Sequence, residues 1–489
     1  MALESPYILG CVVGYLLVCF LIGAWAMGRT HSISDFLVAG QTLGPVVVVV
    51  AAISSVMSGF GFVGGPGLVF EAGMSSLWMT FVAPLGAGVS WILLAKRLRL
   101  LSEAREVLTL ADAVAARYGE GVPRLLMGLA VLLGVLGYLG TQIMALGFVL
   151  RAVLNVELPL AMAIGVGVLA FYSVAGGIIA GVYTDLFQGV IMAFAAVAVC
   201  WRSLEATGGM AAISETLWQT DPALIGPWGD RGPLTALSWY LLFALGAVGQ
   251  PQAITKFLML KDVRDLRWGA LLFGAGYVVL SLLWMSVGLA MRALVERGAQ
   301  APLASPDEAA PAFLLSHTPE WLAGIVFAGL LAAIMSTADS FVNIGAAAVV
   351  RDIPTALFGR PAVAELFWTR VATGLLLAAS AVFALYMENL VALLGTFGWG
   401  TFAAAIVPSV ALGLNWKRAT RAGCVASIIV SLLLNFALEL AARFELYQVP
   451  GGVATGCVAL LASLAAFIFV SLLTPPPLLH DDVAAVMDL

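Results

Sequence analysis

The stretch Ala51-Ala52-Ile53-Ser54-Ser55-Val56-Met57-Ser58-Gly59-Phe60-Gly61-Phe62-Val63-Gly64-Gly65-Pro66-Gly67 decides how the rest of the chain is read. It sits inside an apolar run, residues 43–71, long enough to cross a bilayer, which takes about 20 residues. Its middle nevertheless consists of serine, glycine and then proline. Glycine loosens a helix through backbone freedom, and proline removes an N–H donor. Broken backbone at that depth survives only where it lines a cavity or is buried in protein, because an unpaired peptide group in hydrocarbon is costly. A break here frees carbonyl oxygens, which are good ligands for a hard cation. A small-xxx-small packing face is the competing reading of the same residues.

The rest of the chain supplies the bilayer this reading needs. Of 489 residues, 62% are hydrophobic and 10% charged; soluble domains carry about a quarter charged. About thirteen apolar spans are expected, at 7–27, 43–71, 75–97, 124–151, 157–175, 178–204, 235–256, 268–295, 319–350, 366–387, 391–414, 420–441 and 453–474. Spans in lipid must satisfy their own backbone, so the fold class is an all-α polytopic membrane protein. The first span lacks a basic region before it and an A-x-A site after it, and reads as a retained helix. Most of the 23 Lys and Arg residues fall in one set of loops: Arg29, the run from Lys96 to Arg124, Lys256 to Arg267, Arg351 to Arg370, and Lys417 to Arg421. The opposite set holds Arg151, Arg202, Arg231, Arg292, Arg297 and Arg443. The positive-inside rule then puts the N-terminus outside and the C-terminus in the cytoplasm of a bacterial inner membrane. Segments 206–234 and 297–318 become ordered external caps. The tail after Leu473 opens with Pro475-Pro476-Pro477 and is expected to be flexible.

Composition also excludes functions. There is no long basic stripe, so nucleic acid is not a partner. Cys11, Cys19, Cys200, Cys424 and Cys457 lie in apolar segments and read as core residues, not a disulfide framework. The three histidines are scattered, and no nucleophile–base constellation marks an enzyme. The expected partners are membrane lipid, a small-molecule solute and ions, with the chain itself a monomer.

Three further segments carry polar chemistry inside the membrane. In Leu331-Ala332-Ala333-Ile334-Met335-Ser336-Thr337-Ala338-Asp339-Ser340, the residues Ser336, Asp339 and Ser340 share one helix face, with Thr337 beside it. A carboxylate at that depth is usually functional, and an oxygen-rich face without Cys or His suits a hard cation. Hydroxyls bonding back to their own helix are the competing reading, which leaves Asp339 unexplained. Asp185 lies about two turns inside the cytoplasmic end of the sixth span; it reads either as an interfacial carboxylate or as part of a cation site near Asp339. The seventh span ends Gly246-Ala247-Val248-Gly249-Gln250-Pro251, a second interruption. Paired interrupted helices in corresponding halves point to a transporter site at a repeat interface. Five spans counted from each break give 43–205 and 235–414 as two inverted repeats. Flanking them are an extra helix and loop (1–42), additional helices (415–474) and the tail (475–489).

The chain resembles the sodium:solute symporter family, most closely its proline-symporter branch. The resemblance rests on Ser34-Asp35-Phe36-Leu37-Val38-Ala39-Gly40-Gln41-Thr42-Leu43-Gly44, on the interrupted second span through Phe70, on Gly249-Gln250-Pro251, on Met335-Ser336-Thr337 and on residues 416–423. It implies a five-plus-five, leucine-transporter-like core and Na+ as the coupling ion. It implies a sodium site made by the backbone oxygens of Ser54, Met57 and Ala333 and the hydroxyls of Ser336 and Thr337. It suggests a second sodium site using Asp185, with Ser336 and Ser340 beside it; Asp339, where relatives often carry serine, strengthens that site or binds a proton. Val56 departs from the family by replacing an aspartate, although carbonyl ligation does not need that side chain. Phe243 and Ala247 stand where larger polar aromatics are usual. The implied solute pocket is apolar, with Ser58, Phe60, Tyr138, Gln142, Phe243 and Gln250 around it. It suits a small amino acid such as proline, or a monocarboxylate, better than a sugar. The expected function is sodium-coupled import by alternating access. A proton-coupled symporter on the same fold and a transporter-like sensor are the alternatives.

Overall fold

The computed structural model describes residues 5–386 and 391–488, and these are built almost entirely from helices. The main helices are α1 (Pro6–Met27), α2 (Pro45–Val56), α3 (Gly65–Ala72), α4 (Leu77–Ser90), α5 (Val122–Leu154), α6 (Leu158–Thr207), α7 (Gly232–Gly246), α8 (Pro251–Phe257), α9 (Gly269–Glu296), α10 (Glu320–Ala347), α11 (Glu365–Tyr386), α12 (Val391–Ile406), α13 (Arg421–Arg443), α14 (Thr455–Leu473) and α15 (Asp481–Met487). Eleven stretches are long and apolar enough to cross a membrane, and two shorter apolar pieces, Pro45–Val56 and Leu158–Val174, accompany them.

The helices sort by what they face. The span through α10 is buried almost throughout, and it contacts α6, α5, α1 and α2. By contrast α1 leaves Val13, Leu17, Phe20, Leu21 and Trp25 exposed, and α14 leaves Leu461, Phe469 and Leu472 exposed. Such rows of large apolar side chains belong against lipid.

Both expected interruptions are present. At the first, α2 ends and Met57 is extended (φ −77°, ψ 110°). A wide π-type turn, Phe60–Gly64, follows before α3 opens with proline in its first turn. At the second, α7 gives way to a 3-10 turn at Ala247–Gly249, Gln250 is extended (φ −80°, ψ 111°), and Pro251 starts α8. Glycine is required by close approach at the first break: a Cβ on Gly59 would lie 2.5 Å from that of Ala145, and one on Gly65 would run into the Trp284 ring. The expected spans 157–175 and 178–204 are two helical pieces of α6, Leu158–Val174 and Gly176–Thr207, parted at Gly177, whose φ of 56° and ψ of −151° are not helical and where the Phe36 ring occupies the space of a side chain.

Two segments cap the α3 end of the first break. In 206–234, the Leu224 backbone lies on Gly73, and the Trp78 Nε1–H donates to the carbonyl of Pro227 at 2.7 Å. In 297–318, Asp307 lies against Gly67 and accepts from the Val391 N–H at 2.9 Å.

Two expectations are corrected. The tail is not loose: α15 docks on the helix Lys96–Arg105, where Arg105 donates to Asp482 at 2.6 and 2.9 Å while Val483, Val486 and Met487 are buried. Apolar residues at i, i+3 and i+4 give this short helix a face to bury. Lys256, grouped above with the loop cations, is 0% exposed, because α8 is tucked against α2 and α10.

Candidate cation and solute site

The last carbonyls of a helix have no partner within it. At the end of α2 these are met by α10. Ser336 Oγ lies 2.9 Å from the Ser54 carbonyl and 3.1 Å from that of Ala333. Thr337 Oγ1 lies 2.9 Å from the Ser55 carbonyl, 3.2 Å from that of Met57 and 3.1 Å from that of Ala333. All five oxygens named from the sequence, those of Ser54, Met57, Ala333, Ser336 and Thr337, therefore converge, with the Ser55 carbonyl as a sixth.

Donors and acceptors do not balance in this cluster. Two hydroxyls bring two protons to five close oxygen–oxygen approaches. The contacts to Ala333 are ordinary back-bonds within a helix. The approaches to α2 then leave more acceptors than donors in a buried, low-dielectric place. Oxygen-only ligands in that excess suit a hard cation. Val56, in place of an acidic residue, is buried and apolar, so the oxygens named here are carbonyls and hydroxyls.

The expected second site is arranged differently. Ser54 Oγ donates to the main-chain oxygen of Asp185 at 2.8 Å. The Asp185 carboxylate points to another partner: Lys256 Nζ donates to its Oδ2 at 2.8 Å, with the side chains 1% and 0% exposed. Asp339 is 1% exposed; its main-chain oxygen accepts from Asn343 Nδ2 at 2.9 Å, while its two carboxylate oxygens, Ser340 Oγ and Ser173 Oγ are buried with no well-formed hydrogen bond among the described residues. The Asp339 carboxylate lies against Gly181 of α6, the glycine leaving room for it.

The six residues expected around the solute are all buried; Ser58, Phe60, Tyr138, Gln142 and Phe243 meet at the first break, and Gln250 lies at the second. The Ser58 and Tyr138 hydroxyls lie 3.2 Å apart. The Gly59 N–H, freed by the break, donates to Gln142 Oε1 at 2.8 Å, and the Phe60 N–H donates to Ser58 Oγ at 3.1 Å. Phe60 stacks on Phe243 with centroids 5.6 Å apart, and Phe243 stacks on Trp399 at 4.7 Å. Trp284 meets the edge of Phe60 at 5.0 Å. Gln250 Nε2 donates to the Gly246 carbonyl at 3.0 Å, bridging the second break. Gln250 Oε1, Gln142 Nε2 and Trp284 Nε1 are buried without a partner among the described residues. Sequence reasoning missed Trp284 and Trp399. A usable signal for Trp399 is its flanking pair Gly398 and Gly400, which let Tyr138 and Gly456 approach closely.

The model of the sodium:solute symporter family matches residues 36–431. The chain belongs to the sodium:solute symporter family. Among its curated relatives, the high-affinity proline transporter PutP of Bacillus subtilis (strain 168) is 29% identical over 94% of this chain and 96% of the relative. The sodium/pantothenate symporter of Haemophilus influenzae is 26% identical over 88% and 89%. Among solved structures, a Na+-coupled sialic acid symporter in a substrate-bound, outward-open state superposes with a TM-score of 0.78 at 16% identity, covering 97% of this chain and 100% of that one. At that identity the likeness shows the fold: the all-helical, leucine-transporter-like architecture of this family. The chain is accordingly a membrane transporter, not an enzyme, and a multi-pass protein.

Proposed function

We propose that this symporter couples inward movement of Na+ to import of a small carboxylate-bearing solute, with proline the first candidate. The observation that carries the reading is the oxygen cluster of Ser54, Ser55, Met57, Ala333, Ser336 and Thr337, where acceptors outnumber donors between a broken helix and an unbroken one. Sodium bound there ties α2 to α10 and orders the break. The same break holds Ser58, Gly59 and Phe60 beside Tyr138 and Gln142, so ion and solute share one flexible element. The aromatic stack of Phe60, Phe243 and Trp399 suits the apolar ring of a small amino acid. Each sodium charge moving inward gains about 2.3 kcal/mol per 100 mV of membrane potential. The loop charges favour an external N-terminus and a cytoplasmic C-terminus in a bacterial plasma membrane, with residues 43–205 and 235–414 as inverted repeats that rock about the site.

Thermal stability of the purified protein with proline, pantothenate and short carboxylates, in sodium and in choline buffer, tests this. A ligand at a hundredfold excess over its dissociation constant adds about 2.7 kcal/mol to the folded state. Stabilisation by proline only with sodium present is the expected result. Equal stabilisation in both buffers rejects sodium coupling at the binding step, and stabilisation by pantothenate alone rejects proline.

A further inference from the structure

Asp185 is held by both broken helices at once. Its main-chain oxygen accepts from Ser54 Oγ of α2, and its carboxylate accepts from Lys256 Nζ of α8 at 2.8 Å. Both side chains of the ion pair are closed off from solvent. A carboxylate so placed needs a cation, a proton or several donors. Here one oxygen has the ammonium and the other, Oδ1, has no partner among the described residues.

We propose that Lys256 is the resident cation of the Asp185 carboxylate, and that this closes Asp185 to a second sodium ion. The ammonium is covalently tethered about 1.5 turns after the Gln250–Pro251 break, so it does not dilute when sodium falls. A sodium ion arriving at Asp185 would have to displace Lys256 and leave that ammonium buried and unpaired, which is as unfavourable as the isolated carboxylate. The pair fixes α8 to α6 while the oxygen cluster one helix away stays free to take an exchangeable ion. Lys256 is thus a positioning residue that sets how many ions the transporter binds. The inference draws on the sodium reading above only for the choice of probe.

Equilibrium binding of radiolabelled sodium to the purified, solute-free protein at alkaline pH decides it. Lys256→Met removes the charge and keeps the stem; it should bind one sodium ion more than the wild type, and Lys256→Met/Asp185→Asn should return to the wild-type number. Lys256→Arg should keep the wild-type number. Asp185→Asn alone, which removes the carboxylate and leaves Lys256 without its ionic partner, should also keep it, and serves where Lys256→Met alone fails to fold. Equal numbers in wild type and Lys256→Met, or a number lowered by Asp185→Asn, would overturn the proposal. A wild type that binds no sodium at all rejects the sodium reading of the α2–α10 cluster, and the gain in Lys256→Met still decides the question at Asp185.

Discussion

The two helix breaks have nearly the same backbone and opposite chemistry. Met57 and Gln250 are extended with ψ of 110° and 111°, and each break is followed by a helix opening with proline. At the first break the free groups are main-chain carbonyls, facing two hydroxyls of α10. At the second they are side chains: Gln250 bridges the gap, and Lys256 reaches across to Asp185. Backbone oxygens cannot be ionised, so an ion they hold is free to leave; a lysine paired with an aspartate stays. On the proposed reading, one break serves exchange and the other anchorage.

The largest test of that contrast is a paired substitution. Thr337→Val keeps the shape and removes a hydroxyl that reaches three carbonyls. A hydrogen bond or ligand to a charged group is worth about 1.5–3 kcal/mol, so the half-saturating sodium concentration should rise about 10- to 100-fold. Gln250→Leu, at the other break, should leave sodium dependence near wild type and raise the KM for solute. Sodium-dependent uptake measures both, and equal sodium effects would break the contrast.

A smaller effect is expected from packing. A Cβ on Gly59 meets the Ala145 Cβ at 2.5 Å, while one on Gly249 meets Val407 Cγ2 at 2.8 Å. A methyl at the end of valine can turn aside; the Cβ of Ala145 is fixed to its helix. Gly59→Ala should destabilise by about 1–3 kcal/mol, the usual cost of overpacking, and Gly249→Ala by less. Melting temperatures in one detergent compare them, and a reversed order would show the second break to be the more tightly constrained.

The positions of both breaks were legible because their cause is local: Gly, Ser and Pro within a few residues inside an apolar run. The five oxygens followed from the family resemblance, and the structure brings them together. The Ser55 carbonyl was missed because a main-chain oxygen leaves no mark on the sequence. Lys256 was misplaced for a different reason. A lysine at the end of an apolar span reads as an interfacial charge, and its partner is 71 positions away. Trp284 gave no signal beyond apolarity, and Trp399 only its flanking glycines, Gly398 and Gly400. The triple proline hid α15, whose buried residues Val483, Val486 and Met487 are visible only as a short amphipathic register.

The caps add a last asymmetry. Asp307 lies on Gly67 of the first break and accepts from the Val391 N–H. Burial pushes its carboxyl up to about 7, with Glu71 adding to the rise and the Val391 N–H opposing it. In the unfolded chain an aspartate titrates near about 4. Between those values the folded protein holds a proton that the unfolded chain has released, so stability is full below about pH 4, declines as pH rises toward about 7, and is level above. Every tenfold difference in proton affinity between the folded and unfolded chain is worth about 1.4 kcal/mol, before the other carboxylates add their own dependence. Asp307→Asn should therefore flatten this part of the profile and raise stability at neutral pH relative to the wild type. Melting temperatures from about pH 5 to about pH 8, which bracket the folded value, measure it. An unchanged slope would mean that the lid over the first break does not sense protons through Asp307.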